Sequence, residues 1–140
     1  MSEIITNKLT GKTAAGNVTI TSEGGSATIQ LQQGVAKAWL NLNGTGTIAT
    51  RDSFNVSGVV DNGTGNYTTS FTSSFGNDDY SHAHTNITDS GQFGLTTNTS
   101  FSQATGSIQQ RNGYWSGVSS ANGSSGDVDY FYIQEFGDLA

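Results

Sequence analysis

Two histidines separated by a single residue, His82 and His84, form the sharpest local motif in the sequence. Residues two apart on a β-strand share a face, so both imidazoles would point the same way. Imidazole nitrogens bind Zn, Ni and Fe, and the pairs of several subunits could meet at a symmetry axis to form a metal site. The flanking segment DDYSHAHTNI is polar, which favours the alternative that both rings are solvated.

Acidic residues are the second group that could carry chemistry. Glycoside cleavage uses two carboxyl groups about 5–9 Å apart on either side of a cleft. Most of the aspartates, however, sit beside Gly, Asn or Ser, where a carboxylate caps local backbone amides in a turn. We therefore expect no enzymatic activity and no cofactor. The aspartates concerned are Asp61, Asp78, Asp79, Asp89, Asp127 and Asp129.

A binding function has more support, in one loop or strand end near the C-terminus. Arg111, Asn112, Tyr114 and Trp115 are amphipathic side chains of the kind that stack on sugars or anchor protein contacts. We expect them to form a surface that contacts a host glycan or protein. The alternative is that Tyr114 or Trp115 fills the core instead.

The composition determines which elements can position these residues. Thr, Ser, Asn and Gly make up 68 of the 140 residues, and 33% of all residues are hydrophobic. These abundant types favour turns and, for Thr, strands, and they disfavour helices. The chain should therefore be all-β with a small core, and burial between subunits should supply part of its stability.

Charge and hydropathy exclude several classes of partner. The net charge is −6 and only five residues are basic, so the chain lacks the basic surface that nucleic-acid binding needs. No apolar stretch approaches the roughly 20 residues that span a membrane. The start, MSEIITNK, does not have the pattern of a signal peptide. We expect neither nucleic-acid binding nor membrane insertion.

Alternating patterns and turn residues divide the chain into an N-terminal part, 1–34, and a second part, 35–140. We expect an extended arm over 1–17, followed by a hairpin over 18–31. The second part should form an antiparallel β-sandwich, jelly-roll-like in architecture, because its strands recur roughly every ten residues. The predicted strands are 35–43, 47–60 with a break near Arg51 and Asp52, 66–75, 79–88, 92–101, 104–110, 113–119 and 127–136.

The run LQQGVAKAWLNLNGTGTIATRDSFNVSGVVDNGTGNYTTSFTSSF, residues 31–75, resembles a module of short fibre or appendage proteins of tailed bacteriophages, particularly marine and cyanobacterial ones. The aromatic C-terminal strand that ends in FGDLA is also similar. This resemblance implies a β-sandwich that assembles as a homotrimer. The features that match are the QQG entry, Ala38-Trp39, the NGTG at 43–46, the RDSFN at 51–55, and the DNG turn at 61–63 leading into Tyr67 and Phe71.

A trimer would give a use to both faces of the first strand in the second part. Leu40 and Leu42 alternate there with Trp39, Asn41 and Asn43. A one-sided sheet should place its tryptophan with the leucines. In a trimer the leucines would enter the sandwich of their own chain, and Trp39, Asn41 and Asn43 would face a neighbouring subunit. The alternative is a surface tryptophan that packs on a loop.

By this resemblance the chain would be a structural protein of the virion, a fibre or tail-appendage component with a role in host recognition. Its arm would join other virion proteins, and its sandwich would face a glycan or protein on the host. Two alternatives stay open: a capsid decoration or head-fibre protein that stabilises the shell, and a free carbohydrate-binding module. The protein would be made in the host cytoplasm and reside in the phage particle.

Overall fold

The computed structural model describes residues 3–12, 14, 18–87, 102–114 and 124–140. The chain divides into two compact units, Met1–Val35 and Ala36–Ala140. In the described ranges one short 3-10 helix occurs, Leu31–Gly34, and no helix there is long and apolar enough to cross a membrane. The strands are β1 (Thr19–Thr21), β2 (Thr28–Gln30), β3 (Ala38–Asn43), β4 (Ala49–Phe54), β5 (Val56–Asp61), β6 (Asn66–Phe71), β7 (Ser81–Ile87), β8 (Ser102–Ala104), β9 (Ser107–Arg111), β10 (Gly113–Tyr114), β11 (Ser124–Ser125) and β12 (Tyr130–Phe136).

The N-terminal unit contains an antiparallel hairpin of β1 and β2, which confirms the hairpin predicted from the sequence. The register pairs Ile20 with Ile29 and Thr21 with Thr28. The chain reverses around Gly25, whose φ of 73° is a conformation that glycine adopts without a clash. All side chains of both strands are exposed.

The second unit is built mainly from two four-stranded antiparallel sheets. Their strand orders are β4-β3-β12-β7 and β5-β6-β9-β8, while β10 and β11 form a separate pair. The two sheets share one core, in which the ring centroids of Tyr67 from β6 and Phe131 from β12 lie 5.8 Å apart. The prediction of an all-β chain with antiparallel, sandwich-like sheets is confirmed.

Alternation along the strands decides which side chains enter this core. On β3, Leu40 and Leu42 are buried, whereas Trp39 is half-buried on the opposite side. On β6, Tyr67 and Phe71 are buried, as their spacing predicts. Strand β3, one of the two inner strands of the first sheet, therefore has two chemically different faces. The remaining core residues are Ala38, Phe75, Tyr80, Ile108, Val128, Phe131 and Ile133.

The chain passes from the first sheet to the second at Asn55, between β4 and β5. Asn55 has a φ of 57°, a left-handed conformation that Asn tolerates better than most residues. Its Oδ1 accepts a hydrogen bond from the Ser73 backbone N–H at 2.6 Å, and its Nδ2 donates to the Ser73 carbonyl at 3.0 Å. The strand break predicted near Arg51 and Asp52 is wrong: the register with β3 shifts there, and β4 continues. A bulge adds a residue without ending the pairing.

The NGTG segment after β3 is fixed by a buried tyrosine. The Tyr67 hydroxyl lies 3.0 Å from both the Gly44 carbonyl and Asp127 Oδ1, and it can donate to either. The Gly44 N–H donates to the Val128 carbonyl at 2.9 Å. A Cβ on Gly44 would overlap the Tyr67 hydroxyl, so this close approach requires glycine.

Several predictions fall wholly or partly on residues that the structure does not describe. The predicted strand 92–101 lies outside the described residues, and of the strand at 113–119 only β10 is described. The predicted strand 104–110 is replaced by β8 and β9, which are joined by a turn at Thr105 and Gly106. In the arm, residues 3–12 form neither helix nor strand, and Thr13 and residues 15–17 lie outside the description.

Candidate functional site

The outward side of the β4-β3-β12-β7 sheet, here called the outer face, carries the side chains best suited to bind a ligand. Because β3 and β12 bury every second residue, their intervening residues point away from the core. The cross-strand register aligns these residues into two rows that run across all four strands. In the order β4, β3, β12, β7 the rows are Phe54, Trp39, Gln134, Ala83 and Asp52, Asn41, Tyr132, Thr85.

The larger of two depressions on the outer face lies over β4, β3 and β12. It has a volume of about 260 Å³ and is bordered by Trp39, Asn41, Asp52, Tyr132 and Gln134. Aromatic rings, two amides and a carboxylate thus converge on one small space. This combination suits the binding of a ligand that has both apolar and hydrogen-bonding faces.

A second depression lies beside the first, over β12 and β7. Its volume is about 200 Å³, and Tyr132 and Gln134 border it as well. The short side chains of Ala83 and Thr85 on β7 leave the space open next to the longer residues of β12. The two depressions, joined by their common residues Tyr132 and Gln134, are called the outer-face groove below.

Asn41 and Asp52 differ in how far a ligand in the groove can use them. Asn41 is half-buried and borders the groove, but its Oδ1 is buried from solvent and has no hydrogen-bond partner among the residues that the structure describes. Its neighbour Asp52 is exposed and accepts one hydrogen bond, at 2.8 Å, from the Ser53 backbone N–H. A ligand hydroxyl can therefore bond to the remaining acceptor capacity of Asp52, whereas Asn41 Oδ1 has no accessible surface to offer.

Arg51, the bulge residue of β4, stabilises one end of the outer face. It donates hydrogen bonds to the carbonyl oxygens of Leu42, at 3.1 Å, and Asp129. Its guanidinium carbon also lies 4.1 Å from the centroid of the Tyr130 ring, a cation–π contact. Arg51 therefore ties β4 and β3 to the start of β12, outside the groove.

A second group of polar residues lies inside the sandwich, between β7, β12 and β9. His82 Nδ1 lies 2.7 Å from Glu135 Oε1, and His82 Nε2 lies 2.9 Å from His84 Nδ1. Gln110 Nε2 donates to His82 Nε2 at 2.8 Å. Glu135 is fully buried and Gln110 is 1% exposed. These four residues are called the polar cluster below.

The hydrogen bond from Gln110 selects the tautomer of His82. An amide nitrogen only donates, so His82 Nε2 accepts, and the Nδ1–H is free to donate to Glu135. Burial raises the pKa of the Glu135 carboxyl, while the hydrogen bond from His82 and the electrostatic interaction with it act in the opposite direction. Burial, and then the nearby His82, lower the pKa of His84. The cluster thus favours a neutral His84 imidazole.

The prediction that both rings are solvated is wrong for His82, whereas His84 is half-buried and borders the smaller depression. The His82 side chain is only 11% exposed, because strand alternation turns it towards the buried Glu135. Both ring nitrogens of His82 have protein partners, and its ring stacks on that of His84 at 4.9 Å. Among the described residues, no group of three or more His, Cys, Asp or Glu could hold a metal ion. The geometry is that of an internal hydrogen-bond network.

The predicted binding residues near the C-terminus are only partly described. Arg111 ends β9 and is half-buried. Asn112 is fully buried, with its Oδ1 accepting from Asn86 Nδ2 at 3.4 Å, so a surface ligand does not reach its side chain. The side chain of Tyr114 and the whole of Trp115 lie outside the described residues.

Among these aspartates, Asp61 caps a local backbone amide, as expected, whereas Asp127 accepts from a backbone amide that is distant in sequence. Asp61 Oδ1 accepts from the Gly63 N–H at 2.8 Å, and Asp127 Oδ1 accepts from the Gly65 N–H at 2.8 Å. Asp89 lies outside the described residues.

Sequence reasoning missed five residues of the two sites: Glu135, Gln110, Tyr132, Gln134 and Asp52. Alternation was the available signal for Glu135, because it follows Phe131 and Ile133 on the same buried face of β12. The same alternation places Tyr132 and Gln134 outward. Alternation also places Gln110 on the buried face of β9, two residues after Ile108, but its contact with His82 joins two different sheets and has no local signal.

No known relative provides a comparison for the groove or the polar cluster. Comparison of the chain with protein-family models, with curated protein sequences and with solved structures gave no match.

Proposed function

We propose that this chain is a structural protein of a tailed-bacteriophage particle, a fibre or tail-appendage component. In this proposal the N-terminal unit joins other virion proteins, and the sandwich faces the host surface and acts by binding, without catalysis. The resemblance of residues 31–75 to phage appendage modules supports the virion role. The division into two compact units supports separate attachment and binding parts.

One observation carries the attachment role: an exposed apolar pair on the N-terminal hairpin. Ile20 and Ile29 face each other across β1 and β2 and are 47% and 59% exposed. A two-stranded hairpin is at best marginally stable in water. A neighbouring protein that covers these side chains would add about 25 cal/mol per Å² of buried apolar surface. Ile4 and Ile5 in the preceding arm are also exposed.

We further propose that the protein is a homotrimer with a jelly-roll-like sandwich. The edge strands β4 and β5 expose Phe54 and Val60, and the sequence has no proline to block pairing at an edge. Leu, Ile, Val and Phe amount to only 28 of the 140 residues, so the core is small. Contacts between subunits would cover the edges and add buried apolar area.

The experiment is the incorporation of full-length variants into phage particles. The double variant Ile20→Ser with Ile29→Ser removes the apolar pair, and we expect its occupancy in purified particles to fall at least about tenfold. The matched control is Thr21→Ser with Thr28→Ser, the next cross-strand pair, which should be incorporated normally.

Two results would contradict this proposal. Full occupancy of the Ile20→Ser, Ile29→Ser variant would show that the hairpin is not the attachment element. Light scattering that gave only the mass of one chain at micromolar concentration would remove the trimer.

A further inference from the structure

We infer that the outer-face groove binds a neutral oligosaccharide. The inference gives the host-facing sandwich of the proposed function a ligand class, and it rests on that function only for its biological role. Saccharide binding itself is a property of the purified protein, whether or not the protein belongs to a virion.

The aromatic residues of the groove match the apolar part of a sugar. Trp39 and Tyr132 lie in adjacent rows on neighbouring strands, and both rings border the larger depression. Each is half-buried, so each keeps part of its surface available to a ligand. The C–H bonds on one side of a pyranose ring form an apolar patch that packs on such rings, and an amphipathic aromatic residue serves this contact at low entropic cost.

The polar residues of the groove match the hydroxyl groups of a sugar. Asp52 offers an exposed carboxylate, Gln134 an exposed amide, and the half-buried Asn41 borders the same depression. Hydroxyl groups both donate and accept, so neighbouring hydroxyls can bond to an amide and a carboxylate at once. A purely apolar ligand would cover Asp52 and Gln134 without offering them hydrogen bonds, and the cost of taking these polar groups out of water disfavours such a ligand.

Charge separates neutral from acidic saccharides. The groove is bordered by Asp52, and no Lys or Arg is among the described residues that line it. The guanidinium of Arg51 is held over Tyr130 and by two backbone carbonyls. With a net charge of −6 on the chain, an anionic sugar would be repelled. The one basic residue among the described residues that line the groove, His84, has a lowered pKa because it is buried, which favours its neutral form.

The dimensions of the groove indicate an oligosaccharide rather than a single sugar. The two rows cross four strands, a span of roughly 14 Å at the usual strand spacing. The depressions of about 260 and 200 Å³ lie side by side and share Tyr132 and Gln134, so they can hold consecutive sugar units. A second copy of the chain is the competing occupant, but aspartate is depleted in protein interfaces relative to the rest of the surface, and Asp52 borders this groove.

The test uses purified full-length protein on an array of neutral oligosaccharides built from glucose, galactose, mannose or N-acetylglucosamine, with sulfated and sialylated counterparts alongside. We expect retention of at least one neutral series and no stronger retention of its acidic counterpart. The retained oligosaccharide is then titrated against variants by calorimetry. Tyr132→Ala and Asn41→Ala should each weaken binding at least about tenfold.

Matched controls separate loss of the site from loss of the fold. Ile87→Ala removes an exposed apolar side chain from the outward side of β7, outside the groove, and its affinity should stay within about twofold of the parent. Tyr132→Phe keeps the ring and should retain most of the affinity, so it reports on the site even if Tyr132→Ala unfolds.

Three outcomes would overturn the inference. The first is that no neutral oligosaccharide binds at millimolar concentration, and the second is that acidic counterparts bind more tightly. The third is that Tyr132→Ala splits an oligomer while the parent binds no sugar, which would assign the outer face to a second copy of the chain. Particle incorporation, measured separately, reports on the proposed function in each case.

Discussion

Glu135 and His82 form a buried carboxylate–imidazole pair, with Oε1 and Nδ1 separated by 2.7 Å. Glu135 lies on β12 and His82 on β7, directly opposite in the antiparallel register. Glu135 is fully buried, so its ionised form has no contact with water. The hydrogen bond from the His82 imidazole must compensate for this loss of hydration. The pair therefore couples the stability of this sheet to pH.

The first prediction concerns the loss of this partner. We expect His82→Ala to lower the free energy of unfolding by about 3–5 kcal/mol at neutral pH, because an uncompensated carboxylate stays buried. The pKa of Glu135 is raised in the folded state, so the folded protein takes up the proton more readily than the unfolded one. The loss of stability in His82→Ala relative to the parent should therefore shrink as the pH falls towards the pKa that Glu135 has in the unfolded chain.

Urea unfolding at neutral and acidic pH measures this deficit. The control is Ala83→Ser, a substitution on the outward side of the same strand, which should change stability by less than about 0.5 kcal/mol. A deficit in His82→Ala that was the same at both pH values would contradict the role assigned to the Glu135 charge.

The second prediction concerns His84, whose pKa is lowered in the folded state by burial and by His82. Protonation then favours the unfolded chain, so the contribution of a neutral His84 is present above the ordinary histidine pKa and is lost as the pH falls through the folded pKa. We expect the parent to lose stability relative to His84→Gln as the pH falls from about 7.5 to about 5. Thermal unfolding across this range measures it, and a difference that did not change with pH would refute it.

The third prediction concerns the contact of Tyr67 with Gly44. Tyr67→Phe should cost about 1–2 kcal/mol, because the Gly44 carbonyl and Asp127 lose a buried donor. Gly44→Ala should cost about 1–3 kcal/mol or more, since the new Cβ overlaps the hydroxyl. The double variant should lose less than the sum, because removing the hydroxyl relieves the closest overlap.

Chemical denaturation of the three variants and the parent completes this cycle. Gly46→Ala is not a suitable control, because Gly46 has a φ of 64°. Gly24→Ala is a better control, since Gly24 lies in the hairpin turn and a Cβ added there would meet no atom within 4 Å. Strict additivity of the Tyr67 and Gly44 variants would show that the two residues do not share the proposed contact.

Local pattern was sufficient to predict much of the fold. The alternation of Leu40 and Leu42 with Trp39, and the Asp61-Asn62-Gly63 turn, follow from strand periodicity and turn chemistry. The corner at Asn55 could not be predicted in the same way. Its left-handed backbone is held by hydrogen bonds to Ser73, a residue distant in sequence, so only the tertiary structure locates it.

The polar cluster shows why the site was harder to predict than the fold. The polar segment around His82 and His84 has the pattern of a solvated strand, yet the His82 side chain is only 11% exposed and His84 is half-buried. The compensating partners come from β12 and β9, and pairing across strands and sheets is not encoded in a single local pattern. On the outer face, sequence located Trp39 and Asn41 but not Tyr132 and Gln134, which join them only through the register.

The central claim, that the chain is a component of a phage appendage, is tested most directly by locating it in purified particles. Antibody labelling of the particles with electron microscopy, together with mass spectrometry of the same preparation, identifies both presence and position. We expect the antibody to label the tail or its appendages. Label confined to the capsid would support the decoration alternative, and absence of the chain from purified particles would contradict the account.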